Sequence, residues 1–234
     1  MKAAVYCATR NLYADMIPAV KSLLHNSDVD KVYFLIEDDK FPYPIPDVIE
    51  TINVADQKIF RKNGPNYNSY WTWMCLMRCA LAKVLPQDLD RVLSLDMDTV
   101  VMLDISSLWN IPMEDEYFAQ CMERWKSRPD FIYHNAGVTM HNLKKLREDG
   151  MDDKIIHELN TKKLDFPDQD VINNLCQGHV KLLPADYNVC DCTDIYRLIK
   201  IIHFAGIKPW NHFPEVVKFR NMDWSEVRDG LCAI

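Results

Sequence analysis

The stretch Val92–Leu93–Ser94–Leu95–Asp96–Met97–Asp98–Thr99–Val100–Val101, VLSLDMDTVV, decides how the chain is read. Two carboxylates stand one residue apart, with apolar runs on both sides. Arg91–Leu95 has the pattern of a short buried strand, so the pair falls at a strand's carboxyl end. Alternate residues of an extended chain point to the same side, and two like charges so placed repel. A divalent cation would relieve that repulsion. Hard cations such as Mn²⁺ or Mg²⁺ take carboxylates readily and complete their shell with phosphate oxygens. The plain alternative is an Asp-rich turn that bonds its own backbone and touches only water.

Outward from this stretch, strand and helix signals alternate. Lys2–Thr9 and Lys31–Ile36 read as buried strands, and Thr51–Ala55 as a short third one. Asn11–Asn26 carries Ile17, Val20, Leu23 and Leu24 at helical spacing, with Pro18 early, where a missing amide hydrogen costs least. Ser69–Leu85 has no Gly or Pro and reads as one helix stopped by Pro86. This alternation implies an α/β fold, a mostly parallel central sheet with flanking helices. Ligands of such sheets bind beyond the carboxyl ends of the strands, where Asp96 and Asp98 lie. Further on, Tyr117–Met122 and Phe131–Met140 read as strands. Asn142–Gly150, Asp152–Thr161 and Asp168–Cys176 read as helices, and His179–Leu183 and Lys200–Phe204 as short apolar runs. No repeat or Gly/Ser-rich linker divides the chain, so residues 1–234 are expected to form one domain.

Composition narrows the function classes. With 234 residues, 48% of them hydrophobic, the chain can bury a large core. A net charge of −7 argues against general nucleic-acid binding, which needs a basic face. The opening MKAAVYCATR turns polar too soon for a signal peptide, and no apolar run nears the ~18 residues of a membrane span. A cytoplasmic location is the expectation. Of eight cysteines, Cys190 and Cys192 stand nearest each other. No second pair at ligand spacing accompanies them, which favours reduced thiols over a zinc site.

Two chemistries compete for the Asp-x-Asp pair. In a phosphatase of the haloacid-dehalogenase type, Asp96 would be the nucleophile and Asp98 the acid/base. That motif normally opens its catalytic core, whereas here it begins at residue 96, and no convincing Lys followed by an acidic pair at a strand end lies downstream. In a nucleotide-sugar glycosyltransferase, the pair holds a metal that bridges the donor's two phosphates. IIHFAGIKPW, Ile201–Trp210, supplies an imidazole, a glycine and a lysine suited to metal, close approach and diphosphate. A non-catalytic nucleotide-sugar-binding protein would carry the same groups.

Several motifs, in order, resemble glycosyltransferase family 8, the group of glycogenin and of retaining galactosyl- and glucosyltransferases of bacterial lipopolysaccharide synthesis. They are ATRNLYADMIPAVKSLL after the first strand, SLDMD, HNAGV with NLKKLR behind it, DQDVIN and HFAGIKPW, spanning roughly Lys2 to Trp210. The resemblance implies a GT-A fold and transfer of a hexose, glucose or galactose, from a UDP-sugar to a saccharide or other hydroxyl acceptor, with retention. It implies Asp96, Asp98 and His203 as ligands of Mn²⁺, or Mg²⁺ in its place. Ala8, Thr9 and Tyr13 would line the uridine pocket, with Tyr13 able to stack on the base. Gly206 and Lys208 would meet the diphosphate, and Arg78 would reach the donor. Asn135 and Ala136 would lie near the donor sugar, Asp168 would bond its hydroxyls, and Gln169 would sit close to the anomeric carbon. The chain departs from the family in two places. One residue fewer separates Gly206 from Lys208, and Arg10 stands where many relatives have a polar or acidic residue.

The remaining candidates have plainer readings. Trp71 and Trp73 could form a sugar platform, with packing the simpler role. Lys83 fits a solvated helix face. Lys144, Lys145 and Arg147 fit a basic helix end. His134, His141 and His212 fit local hydrogen bonds, Asp186 and Asp191 could approach an acceptor, and residues 56–69 could be a lid. The tail after Trp210 is expected only to pack against the fold.

Overall fold

A computed structural model of the chain describes residues 1–190, 198–205 and 210–229. A seven-stranded sheet runs in the order β3-β2-β1-β4-β7-β6-β8. Its strands are β1 (Ala3–Cys7), β2 (Lys31–Ile36), β3 (Ile49–Asn53), β4 (Arg91–Leu95), β6 (Phe118–Met122), β7 (His134–Asn142) and β8 (Val180–Leu182). β1 pairs in parallel with β2 and β4, as β2 does with β3 and β6 with β8. β7 is antiparallel to both β4 and β6. β5 (Thr99–Val101) and β9 (Ile201–His203) form a separate antiparallel ribbon.

Both faces of the sheet are covered, which is why β1 and β2 are near-continuous apolar runs. Ala4, Tyr6, Phe34, Leu93 and Val138 point to one face. There they meet α1 (Tyr13–Asn26), the ribbon, and two C-terminal helices, α7 (Pro214–Asn221) and α8 (Trp224–Asp229). Val5, Leu35 and Val92 point to the other face, against α2 (Met74–Arg78), α3 (Leu81–Val84), α4 (Leu143–Glu148), α5 (Met151–Thr161) and α6 (Pro167–Leu175). The tail does pack. Val216, Phe219 and Val227 are buried, and the Lys21 ammonium on α1 bonds the Met222 carbonyl 5.0 Å over the Trp224 ring.

Sequence pattern and structure differ at several elements. Ser69–Leu85 is not one helix but α2 and α3, with bends and a turn before them. At the break, the Cys79 and Ala80 amides bond carbonyls three residues back, and Ala80 sits at φ −106°, ψ 13°. No Gly or Pro marks the break; tertiary contacts make it. Arg78 is drawn to the sheet, where it bonds Asp96 and the Ala136 carbonyl. Beyond the break, Arg147 of α4 donates to the carbonyls of Ala82, Pro86, Gln87 and Leu89. β3 lies two residues before its expected place, because the Asn53 side chain accepts from the Ala55 amide and turns the chain there. β7 starts at His134 because Phe131 closes a tight bridge with Arg128.

Candidate active site

β4 ends at Leu95, and the chain turns at once. The Thr99 hydroxyl and amide both donate to the Asp96 carbonyl, at 2.6 and 3.2 Å. The two aspartates therefore leave the sheet interior, with side chains 28% and 16% exposed. β5 then pairs with β9 so that Thr99 stands opposite His203. The Phe204 amide donates to the Asp98 carbonyl at 2.9 Å. His203 Nε2 lies 3.3 Å from Asp96 Oδ2 and 3.5 Å from Asp98 Oδ1. The turn and the ribbon thus bring together three side chains whose ligand atoms all fall within 4.8 Å of one another.

The imidazole is held from behind. His203 Nδ1 lies 2.9 Å from Asn188 Oδ1, so an Nδ1–H donated there leaves Nε2 facing the carboxylates. Asn188 Nδ2 in turn donates to Asn135 Oδ1, and Asn135 Nδ2 to Glu123 Oε2, at 2.8 and 2.6 Å. Burial would push the His203 pKa down, but its bonds to Asp96 and Asp98 outweigh that and raise it well above the ordinary value. Anions that hold a proton on a buried imidazole are also suited to a divalent cation. Two carboxylate oxygens and one imidazole nitrogen make a donor set that fits Mn²⁺ or Mg²⁺, imidazole favouring the former.

Arg78 is the positive wedge of the site. Its guanidinium bonds Asp96 Oδ1 and the Ala136 carbonyl, and lies 3.4 Å from Asp168 Oδ2 at the start of α6. Burial opposes its charge, but Asp96 and Asp168 more than offset that and raise its pKa. Asp168 feels burial most and its pKa is raised, with Arg78 pulling the other way. One helical residue on, Gln169 Oε1 accepts from the Ala136 amide at 3.0 Å. Asp96, Asp98, His203, Arg78, Asn135, Ala136, Asp168 and Gln169 therefore form one constellation.

At the carboxyl end of β1, Ala8 and Thr9 are buried. The Tyr13 hydroxyl accepts from the Glu37 amide and donates to Asp38, at 2.7 and 3.0 Å, while its ring lies 5.2 Å from that of Phe41. With 1% of Tyr13 exposed, a base can stack on it only if that packing opens. Arg10 pairs with Asp38 at 2.5 Å, and Trp73 donates to Glu37 at 2.8 Å. Gly206, Lys208, Asp191 and Cys192 lie outside the described residues.

Other candidates have structural partners. Lys83 pairs with Asp152 and Asp153, His134 lies against Asn173, and Trp73 stacks on Tyr67. No sequence motif points to Asn188 or Glu123. The one cue to Asn188 is its place in PADYNVC, just ahead of the ribbon strand β9.

This fold is that of a GT-A glycosyltransferase. Residues 5–213 match the model of glycosyl transferase family 8. The chain belongs to that family. It is 27% identical over 140 residues to a putative glycosyltransferase of Haemophilus influenzae, covering 54% of this chain and 42% of that protein. It is 33% identical over 113 residues to a lipopolysaccharide 1,2-glucosyltransferase of Escherichia coli, covering 38% of this chain and 33% of that protein. The aligned parts thus span less than half the length of these curated relatives. Among solved structures, the glycosyltransferase GlyE of Streptococcus pneumoniae superposes with a TM-score of 0.74 at 22% identity, over 99% of this chain and 63% of that one. The galactosyltransferase LgtC, solved with donor and acceptor sugar analogues, gives 0.68 at 18% identity, over 97% and 99%. Membership of this family sets the phosphatase reading of Asp96 aside. Among the described residues, no helix is long and apolar enough to cross a membrane.

Proposed function

We propose that the chain moves a hexose, glucose or galactose, from a UDP-sugar to a hydroxyl of a saccharide or other acceptor, with retention at the anomeric carbon and dependence on Mn²⁺ or Mg²⁺. The convergence of Asp96, Asp98 and His203 beside Arg78, Asp168 and Gln169 carries this reading. A metal bound there would neutralise charge as the diphosphate departs. The chain's own groups do the rest. Asn188 and Arg78 fix His203 and Asp96 in place before any ligand arrives. Asp168, held as an acceptor beside Arg78, takes hydrogen bonds from sugar hydroxyls, next to Asn135 and Ala136. Gln169 is an amide and a poor nucleophile, and its oxygen is already tied to the Ala136 amide. Its part is to steady positive charge developing at the anomeric carbon.

The bond from the anomeric carbon to the diphosphate oxygen breaks with its electron pair leaving on UDP. The acceptor oxygen forms the new bond on the same face, and its proton passes to the departing phosphate oxygen. No Asp or Glu base is required. Gly206 and Lys208 are assigned to the diphosphate, and Ala8, Thr9 and Tyr13 to the uridine, on the family motifs. Residues 1–234 are read as one domain. The free cysteines Cys7, Cys75, Cys79, Cys121, Cys176 and Cys190 suit a cytoplasmic location.

Calorimetric titration of UDP with Mn²⁺ and with EDTA, repeated on Asp96→Ala/Asp98→Ala, tests the reading. Binding that needs both the metal and the aspartates is expected. Folded wild-type protein that binds no UDP under any metal condition would overturn it.

A further inference from the structure

Beside the constellation lies an aromatic cluster that the donor chemistry does not use. Tyr70, Trp71 and Trp125 are 94%, 41% and 66% exposed. Phe166 joins the two tryptophans, its ring centroid 5.8 Å from Trp71 and 5.7 Å from Trp125. Phe166 immediately precedes α6, so the cluster adjoins Asp168 and Gln169 through the chain itself.

These rings are held in place by polar groups rather than by a covering core. Asp170 accepts from Lys126, from the Tyr133 hydroxyl and from the Phe166 amide, the first and last at 3.1 and 2.8 Å. The Lys126 ammonium sits 3.9 Å over the Phe166 ring and 5.3 Å from that of Trp125. Trp71 Nε1 donates to the Asp165 carbonyl at 3.1 Å. Large rings exposed together are uncommon on a surface and mark a binding site. Their faces are electron-rich and flat. The C–H face of a pyranose is apolar and carries partial positive charge, so it matches such a face. The hydroxyls at the sugar's rim match the flanking Lys126 and the acidic groups beside it.

We infer that the Trp71–Phe166–Trp125 cluster is a stacking site for a saccharide acceptor, which lays a pyranose ring on an exposed tryptophan face, buttressed by Phe166, and presents a hydroxyl toward Asp168 and Gln169. The inference rests on the glycosyltransferase reading above. It favours a sugar over a lipid surface because the charged Lys126–Asp170 pair is built into the cluster and because the cluster is continuous with the donor-sugar residues.

The test probes a printed oligosaccharide array with wild-type protein in UDP and Mn²⁺. The bound saccharides are then titrated by tryptophan fluorescence into wild type, Trp71→Ala, Trp125→Ala and Trp125→Phe. Trp125→Ala should weaken saccharide binding about tenfold, and Trp125→Phe, which keeps a ring, much less. UDP affinity, measured in parallel, should not move in any variant. No saccharide bound by a wild type that binds UDP, or unchanged affinity in both alanine variants, overturns the platform and leaves the donor reading standing. So does a Trp125-dependent binding to phosphatidylglycerol vesicles without saccharide binding, which reassigns the cluster to a membrane. Loss of UDP binding by wild type would sink the donor reading and the platform with it.

Discussion

The His203 imidazole fills the space that a side chain on Gly137 would need: a Cβ built there would lie 2.1 Å from His203 Cε1 and 2.5 Å from Nδ1. The glycine has no positive φ, so it is required for room and not for backbone conformation. Its carbonyl also accepts from the Asp96 amide at 2.8 Å, so it touches two of the three candidate ligands at once. Gly137→Ala must therefore expel the imidazole. Overpacking of this kind costs about 1–3 kcal/mol. The expected result is a protein that folds with a lowered melting temperature and has lost most of its Mn²⁺ affinity by calorimetry. Wild-type Mn²⁺ affinity in Gly137→Ala would mean that His203 is not a ligand.

Asn188 acts on the metal ligand only through His203. Partners that orient a ligating imidazole are worth about 10–100-fold in metal affinity. Asn188→Ala is expected to lose Mn²⁺ affinity in that range, read by calorimetry or by electron paramagnetic resonance of free Mn²⁺. Asn188→Asp keeps an oxygen for Nδ1 and should recover part of it. The substitution to Ala also strips Asn135 Oδ1 of a donor, so the donor sugar's affinity should fall as well. If Ala and Asp variants bind Mn²⁺ as wild type does, the Nδ1 contact has no orienting role.

Much of this arrangement is legible in the sequence because a short apolar run with both faces buried fits little besides a central strand. Lys31–Ile36 and Arg91–Leu95 are readable to the residue on that ground. The ribbon is not. Nothing local to Thr99–Val101 names its partner, and the turn at Asp96 carries it away from β4 to pair with β9. The break after Arg78 leaves no local mark because no residue within Ser69–Leu85 breaks a helix; contacts from far along the chain do it. The family resemblance names the eight residues that cluster, seven of them polar with Ala136, but does not reveal that Asn188 braces His203, which depends on a pairing between distant strands. The aromatic platform is half visible, in Trp71, while Trp125 and Phe166 reach it from other loops.

Arg78 separates two acids that would otherwise face each other with little water. Arg78→Ala leaves both unpaired, and breaking one side of a buried ion pair costs about 3–5 kcal/mol. Asp96 is partly exposed, so a loss near the low end, about 3 kcal/mol, is expected in urea denaturation. Arg78→Lys keeps the charge without the planar fork and should recover only part of it. Adding Asp168→Asn to Arg78→Ala removes one of the two stranded charges and should restore some stability. A variant Arg78→Ala as stable as wild type would show that the guanidinium is not relieving repulsion.

His141 titrates far below an ordinary histidine. Burial pushes its pKa down to about 3, Arg78 adds to the effect, and Nε2 has no hydrogen-bond partner among the described residues. Above about pH 6.5 neither folded nor unfolded chain holds a proton there, so the residue adds no pH dependence. Between about 6.5 and 3 the unfolded chain takes a proton that the folded chain refuses. Stability therefore falls as the pH is lowered through that window, with a slope approaching about 1.4 kcal/mol per pH unit from this residue. His141→Leu removes this pH dependence and fills the same space against the edge of Phe118. Relative to wild type, the variant should gain about 2 kcal/mol between pH 7.5 and 5.0 in urea titrations. Parallel stability curves for the two proteins across that interval would mean that His141 titrates in the fold as it does in the unfolded chain.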